Sequence, residues 1–193
     1  MSPASLPPAQ RPAIFLDRDG VIIENRSDYC LTWEQVVILP GVIEALARLG
    51  TSPYAVVIIT NQSAIGRGLI DRATADDINA RLVAGIRAAG GRIDGVFMCP
   101  HAPEAGCDCR KPRPGLILQA SERLVLDLSR SILIGDALSD LEAARSAGVG
   151  RSILVRTGRG HEQLESAEAQ LRQSIHSASD LSAALDSIPE LHP

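Results

Sequence analysis

Ala13-Ile14-Phe15-Leu16-Asp17-Arg18-Asp19-Gly20 is an apolar run that stops on two carboxylates and a glycine. Four apolar residues in succession, without alternation, read as a strand buried on both faces. Asp17 and Asp19 stand two apart, so strand geometry points both toward one side as far as it persists. Two like charges this close repel unless a cation or a shared proton settles them. Mg²⁺ would do so, because it takes carboxylates together with substrate phosphate oxygens. Gly20 lets the main chain turn with no side chain in the way. In such a site Asp17 would attack phosphorus to give an aspartyl-phosphate, and Asp19 would serve as general acid and then as base. On these residues alone a plain polar turn is an equal alternative.

The pattern repeats along the chain. Apolar, β-branched runs at 55–59, 95–98, 131–134 and 152–155 alternate with helical stretches at 42–49, 74–89, 114–126 and 140–147. Thr74 is the expected N-cap of the second of these helices. Strands of continuous apolar character between helices imply a parallel sheet covered on both faces. Ligands of such sheets bind at the carboxyl ends of the strands. The polar residues that stand out fall there: Asp17, Thr60, Cys99 and Asp136 each follow an apolar run. The tail from 162 to 185 reads as one or two helices, with Ser-Ala-Ser-Asp at 177–180 as the expected N-cap of the last one.

Around Asp17 and Asp19 the remaining residues assemble a phosphate site. Thr60 offers a hydroxyl and Asn61 an amide, and Ser63-Ala64-Ile65-Gly66-Arg67-Gly68 is a glycine-rich loop carrying one cation. Lys111 is the single lysine among 19 basic residues. A compact ammonium suits a carboxylate and a phosphate together, a task for which arginine is a poor substitute. Asp136 offers a further metal carboxylate, and Asp140 supports the metal site or Lys111 from behind.

In this order the residues resemble the haloacid dehalogenase superfamily of phosphatases, over 14–147. The motifs are Asp17-Arg18-Asp19-Gly20, Thr60-Asn61, Lys111, and Gly135-Asp136 with Asp140. The resemblance implies a Rossmann-like three-layer α/β sandwich and Mg²⁺ held by Asp17, the main-chain oxygen of Asp19, and Asp136.

Cys99-Pro100-His101 and Cys107-Asp108-Cys109 place three thiols and an imidazole within eleven residues. That set suits tetrahedral zinc with no open position, hence a structural ion. A disulfide and a coincidental cluster are the alternatives. Ordering of this loop would place Arg110 and Lys111 beside the site. The stretch through Pro112 resembles the zinc-containing branch that holds the heptose bisphosphate phosphatases and the histidinol phosphatases. No segment is long enough for a cap domain, so a capless enzyme with a small zinc-bound loop is expected.

Thr60-Asn61-Gln62-Ser63-Ala64-Ile65-Gly66-Arg67-Gly68 resembles the heptose side of that branch, with Ala64 where a glycine is usual. Such an alanine is harmless only at negative φ. Arg67 and Arg110 would clamp the second anion of a bisphosphate through bidentate hydrogen bonds, and would repel the cationic groups of histidinol phosphate. Ser63 completes the expected substrate contacts. Removal of the 7-phosphate of a heptose 1,7-bisphosphate is therefore the preferred reading. A histidinol phosphatase, another small sugar phosphatase, and a non-catalytic zinc-stabilised binding module stay open.

With 193 residues, 45% hydrophobic and 22% charged, the chain is long enough for a core and too apolar for a disordered one. The net charge of −4 and the lack of interleaved aromatics around the cysteines give no reason to expect nucleic acid. No apolar run reaches the ~20 residues of a membrane span. The first residues have no basic, apolar signal pattern. The expectation is a cytoplasmic, monomeric enzyme acting on a small phosphorylated sugar, with a loose leader over 1–12 and one phosphatase domain over 13–190 that includes the zinc loop 99–109.

Overall fold

In a computed structural model of the chain, residues 10–191 are described. Six strands form one parallel sheet: β1 (Ala13–Leu16), β2 (Ala55–Asn61), β3 (Gly95–Cys99), β4 (Ile132–Gly135), β5 (Arg151–Val155) and β6 (Ser177–Ala178). Their order across the sheet is β3-β2-β1-β4-β5-β6. Chain order reverses between β1 and β4, and their carboxyl ends form the crevice in which ligands of open α/β sheets bind.

Helices cover both faces. They are α1 (Val42–Arg48), α2 (Ser63–Gly66), α3 (Arg72–Ala88), α4 (Gly115–Leu124), α5 (Leu138–Ala147), α6 (Gly160–Ser166), α7 (Ala169–Ser174) and α8 (Leu181–Asp186). The pleat of β1 divides the core in two. Ile14 and Leu16 join Leu46 of α1, Leu82 and Ile86 of α3, and Leu185 of α8 on one face. Ala13 and Phe15 join Leu116, Ile117 and Ala120 of α4 and Ala143 and Ala144 of α5 on the other. Two apolar layers on one sheet give the three-layer sandwich, and each fully buried Ile or Leu contributes on the order of 1.5–3 kcal/mol. Among the described residues no helix is long and apolar enough to cross a membrane.

The third helix begins earlier than expected. Its N-cap is Asp71, whose carboxylate accepts from Thr74 N at 2.7 Å. A carboxylate at the positive helix end is favoured over the hydroxyl of Thr74, which sits inside the first turn. The tail also differs, with three short helices and a two-residue strand in which Ser177 and Ala178 pair with Leu154 and Val155. Two residues are too few to carry a period. The expected leader lies largely outside the described residues, but its end does not. Pro12 O accepts from Ala55 N at 2.8 Å, and Arg11 pairs with Asp94 at 3.0 Å.

Candidate active site

Asp17 is the first residue past β1, and its N–H still donates to Ile134 O of β4 at 3.0 Å. Asp17, Asp136 and Asp140 each bring one carboxylate oxygen within 4.8 Å of the others, and all three are buried. Lys111 is buried with them. Its Nζ donates to Asp140 Oδ1 at 2.7 Å, Asp17 Oδ1 at 2.9 Å and Ile59 O at 3.1 Å. An ammonium has three donors, and all three are used. Asn61 pins the same residue by its main chain. Its Nδ2 donates to Lys111 O and its Oδ1 accepts from Lys111 N, both at 3.1 Å.

The two remaining carboxylates have different surroundings. Asp140 is engaged at both oxygens, since Oδ2 accepts from Ala137 N at 3.1 Å. Asp136 Oδ2 accepts from Arg159 N at 2.9 Å, whereas its buried Oδ1 accepts no hydrogen bond and has the Arg159 guanidinium only at 3.5 Å. A buried carboxylate oxygen without a hydrogen bond is costly, and a closer cation relieves the cost. Burial pushes the Asp17 carboxyl up to about 8 against the pull of Lys111, with Asp140, Asp136 and Asp19 adding to the rise. Burial also raises Asp136, against Arg159. Burial opposes the charge on Lys111, but Asp140 and Asp17 outweigh it and hold the ammonium protonated. The group is thus short of positive charge. A hard divalent ion held by Asp17 and Asp136 would supply it, so these carboxylates fit Mg²⁺, with the main-chain oxygen of Asp19 as the further ligand that the resemblance implies.

Two glycines make the close packing possible. Gly20 has φ +87° and Gly158 has φ +56°, and a Cβ on either would fall on the Asp136 carboxylate. Thr157 Oγ1 donates to Gly20 O at 2.6 Å, closing the loop after β5 against the loop after β1.

A cavity of about 550 Å³ opens above this group. Of the residues expected in the site, Asp17, Asp19, Asn61, Ser63, Arg110, Lys111 and Asp140 line it. Thr60 is fully buried behind them. Its Oγ1 accepts from Gln62 Nε2 at 2.8 Å and donates to Asp19 Oδ2 at 3.4 Å. Arg67 is not among the lining residues. The single turn α2 carries it outward, where its guanidinium meets Glu104 at 3.2 Å. Ala64 lies inside that turn and is absent from the residues with positive φ, so its methyl group is unstrained.

The lining includes residues the sequence reading did not place there: Asn25, Arg26, Tyr29, Gln62, Ser139 and Arg159. Gln62 lay within the quoted motif. Arg159 stands between two glycines just past a strand, a signal of the same kind as Asp136 after β4. Nothing in the stretch 25–29 marks Arg26, and the ring of Tyr29 suits a substrate loop and a core position equally, because the loop that carries them is placed by tertiary packing.

Beside the site, Cys99, Cys107 and Cys109 are unpaired and lie with His101 in one cluster. Cys99 Sγ is 3.6 Å from both His101 Nδ1 and Cys107 Sγ. Cys109 Sγ is 3.3 Å from His101 Nδ1 and 3.5 Å from Cys107 Sγ. Disulfide sulfurs are ~2.0 Å apart, so no pair is bonded. Zinc bonds of ~2.3 Å to sulfur and ~2.0–2.1 Å to nitrogen give tetrahedral edges of ~3.5–3.8 Å. Burial, with the neighbouring thiols, pushes Cys109 up to about 12, so three thiolates need a metal to coexist. Donor set and spacing both fit zinc. Gln62 N donates to Cys99 O at 2.8 Å, which ties the cluster to the catalytic loop.

Comparison with known proteins points the same way. Residues 108–184 match the HAD-hydrolase-like family. The chain is 43% identical over 150 residues to the D-glycero-beta-D-manno-heptose-1,7-bisphosphate 7-phosphatase of Pseudomonas aeruginosa, covering 78% of this chain and 84% of the relative. It is 38% identical over 175 residues to the enzyme of the same name from Bordetella bronchiseptica, covering 91% and 96%. A solved structure of a D,D-heptose 1,7-bisphosphate phosphatase from B. bronchiseptica, complexed with magnesium and phosphate, superposes with a TM-score of 0.84 at 38% identity, again covering 91% and 96%.

Proposed function

Because the chain belongs to the family of D-glycero-beta-D-manno-heptose-1,7-bisphosphate 7-phosphatases, within the HAD-like hydrolases, we propose that it removes the 7-phosphate of the β-anomer of that sugar. The observation that carries the reading is the buried group of Asp17, Asp136, Asp140 and Lys111 at the switch point of the sheet, with one carboxylate oxygen of Asp136 unsatisfied.

Asp17 is the nucleophile. Its Oδ1 is held by Lys111 Nζ and by Arg18 N at 2.7 Å, which leaves Oδ2 to attack phosphorus. A P–O bond to Asp17 forms as the bond to the sugar oxygen breaks. Asp19 gives its proton to that oxygen, and the bonding pair stays there. Asp19 then takes a proton from water as it cleaves the aspartyl-phosphate and releases inorganic phosphate. Mg²⁺, when bound by Asp17, Asp19 O and Asp136, supplies charge neutralisation for the phosphoryl oxygens. Lys111 orients Asp17 and pulls it toward the ionised form that bound Mg²⁺ would complete, and Asp140 holds Lys111. Positioning and fixed charge provide most of the rate.

Arg110, Arg26 and Arg159 rim the cavity and suit the second phosphate, with Asn61 and Ser63 along its wall. Arg67 contributes through the zinc loop rather than by direct contact. Residues 13–190 act as one catalytic unit, in the cytoplasm and as a monomer, with zinc on Cys99, His101, Cys107 and Cys109 in a structural role.

Phosphate release with Mg²⁺, compared between the two anomers of D-glycero-D-manno-heptose 1,7-bisphosphate and histidinol phosphate at matched concentrations, tests the substrate. Preference for the β-anomer is expected. Preference for histidinol phosphate would overturn the substrate and leave the aspartate chemistry standing.

A further inference from the structure

Arg18 stands between the two catalytic aspartates, yet its side chain is only 1% exposed. A buried guanidinium is expensive, and an aliphatic residue would fill the same space at less cost. Its partners show where the charge is directed. Nε donates to Asp19 Oδ2 and NH2 to Asp19 Oδ1, each at 3.1 Å, a two-pronged grip on one carboxylate. NH1 turns the other way and donates to Asn79 Oδ1 of α3 at 2.9 Å. Asn79 is itself buried and fixed, with Nδ2 on Met98 Sδ of β3 at 3.7 Å. The grip on Asp19 is therefore anchored to a long helix packed on the sheet, not to the loop that carries Asp19.

The two oxygens of Asp19 are not equivalent under this grip. Oδ2 accepts from Arg18 Nε, from Gln62 Nε2 at 2.8 Å and from Thr60 Oγ1 at 3.4 Å. Oδ1 accepts from Arg18 NH2 alone among the described residues. A carboxylate oxygen has two lone-pair sites. Those of Oδ2 are filled, one of Oδ1 has no donor among the described residues, and Asp19 lines the cavity.

We propose that Arg18, anchored by Asn79, is a positioning residue that fixes Asp19 so that Oδ1 carries the proton given to the leaving sugar oxygen. Gln62 completes the device by occupying Oδ2. The inference rests on the general-acid role of Asp19 given above. It adds which oxygen acts and which residues hold it there.

The test separates proton donation from everything else by changing the leaving group. A sugar alkoxide needs the proton as the P–O bond breaks, whereas p-nitrophenolate leaves without one. The ratio of kcat/KM for heptose bisphosphate to kcat/KM for p-nitrophenyl phosphate reports donation up to the first irreversible step. Three variants are compared with the parent: Arg18→Lys, which keeps charge and loses the fork, Asn79→Leu, which removes the anchor, and Asp19→Asn as reference. Loss of a positioned general acid costs about 10²–10⁴-fold. The expected result is a fall of that size in the ratio for Asp19→Asn and of about tenfold or more for Arg18→Lys and Asn79→Leu. Equal losses on both substrates for Arg18→Lys and Asn79→Leu, or an unchanged ratio, overturn the positioning role. Should Arg18→Lys fail to fold, Asn79→Leu decides alone by the same criterion. Equal losses for Asp19→Asn instead overturn the general-acid reading beneath it, so the two failures are distinct.

Discussion

Lys111 Nζ lies 2.9 Å from Asp17 Oδ1, and its other two protons are spent on Asp140 Oδ1 and Ile59 O. The nucleophile is thus held by a cation that has no donor left. Lys111→Arg keeps the charge but brings a planar five-donor fork into a site shaped for a tetrahedral ammonium. A loss of about 10²–10³ in kcat is expected, the scale of removing one preorganised electrostatic partner. Lys111→Met should cost stability as well, about 3–5 kcal/mol, by leaving buried carboxylates uncompensated. Steady-state kinetics and urea unfolding check both, and a Lys111→Arg enzyme with near-parental kcat would contradict the assignment.

Asp17→Asn should lower kcat by at least ~10⁴-fold without loss of stability. The reason is burial, which pushes Asp17 up to about 8 from the ordinary carboxylate value. A group raised in this way favours the fold while it is protonated there, a contribution complete below the unfolded pKa and lost as pH rises through about 8. Without added Mg²⁺, the parent should therefore lose stability relative to Asp17→Asn between about pH 4 and pH 8. Urea midpoints of the two proteins at pH 5 and pH 8 measure it. Added Mg²⁺ should narrow the difference, because the ion favours the carboxylate.

Much of this site is readable in the sequence because each chemical group sits at or directly after the end of a strand. Asp17 follows β1, Thr60 and Asn61 close β2, Cys99 ends β3 and Asp136 follows β4, so the alternation of strand and helix already places them at one edge. The direction of Arg67 is not readable. It depends on the single turn α2, which four residues form and which sends the side chain to Glu104. The anchor of Arg18 on Asn79 joins residues far apart in sequence and leaves no local pattern. The sixth strand is equally silent, since Ser177 and Ala178 become a strand only by pairing with β5.

Gly20 is held at φ +87° with its Cα against the Asp136 carboxylate. Gly20→Ala adds a methyl group that would collide with Asp136 and forces an L-residue into the left-handed region, at a cost of about 1–3 kcal/mol. Asp136 must then shift away from Asp17. The expected kinetic sign is a several-fold rise in the Mg²⁺ concentration for half-maximal activity, read from a magnesium titration of phosphate release beside a thermal melt. An unchanged magnesium requirement would show that Asp136 does not depend on this contact.

The zinc cluster should stabilise the fold and the active site together, because Cys99 closes β3 while Arg110 and Lys111 directly follow Cys109. Loop 100–108 has no strand or long helix of its own, so the four ligands must hold it. Cys107→Ser removes one ligand and leaves the phosphate-facing residues unchanged. A loss of at least ~4 kcal/mol is expected, as for other metal-site disruptions. At ~2–4 °C per kcal/mol for a chain of this size, that is a fall in Tm of ~8–16 °C. Activity should fall by more than the folded fraction alone explains, since Lys111 takes its main-chain position from the loop as well as from Asn61. Metal analysis, melting and kinetics on the same preparation separate the effects. A variant that has lost its zinc but keeps parental kcat at a temperature where it is folded would confine the metal to stability and detach it from the placement of Lys111.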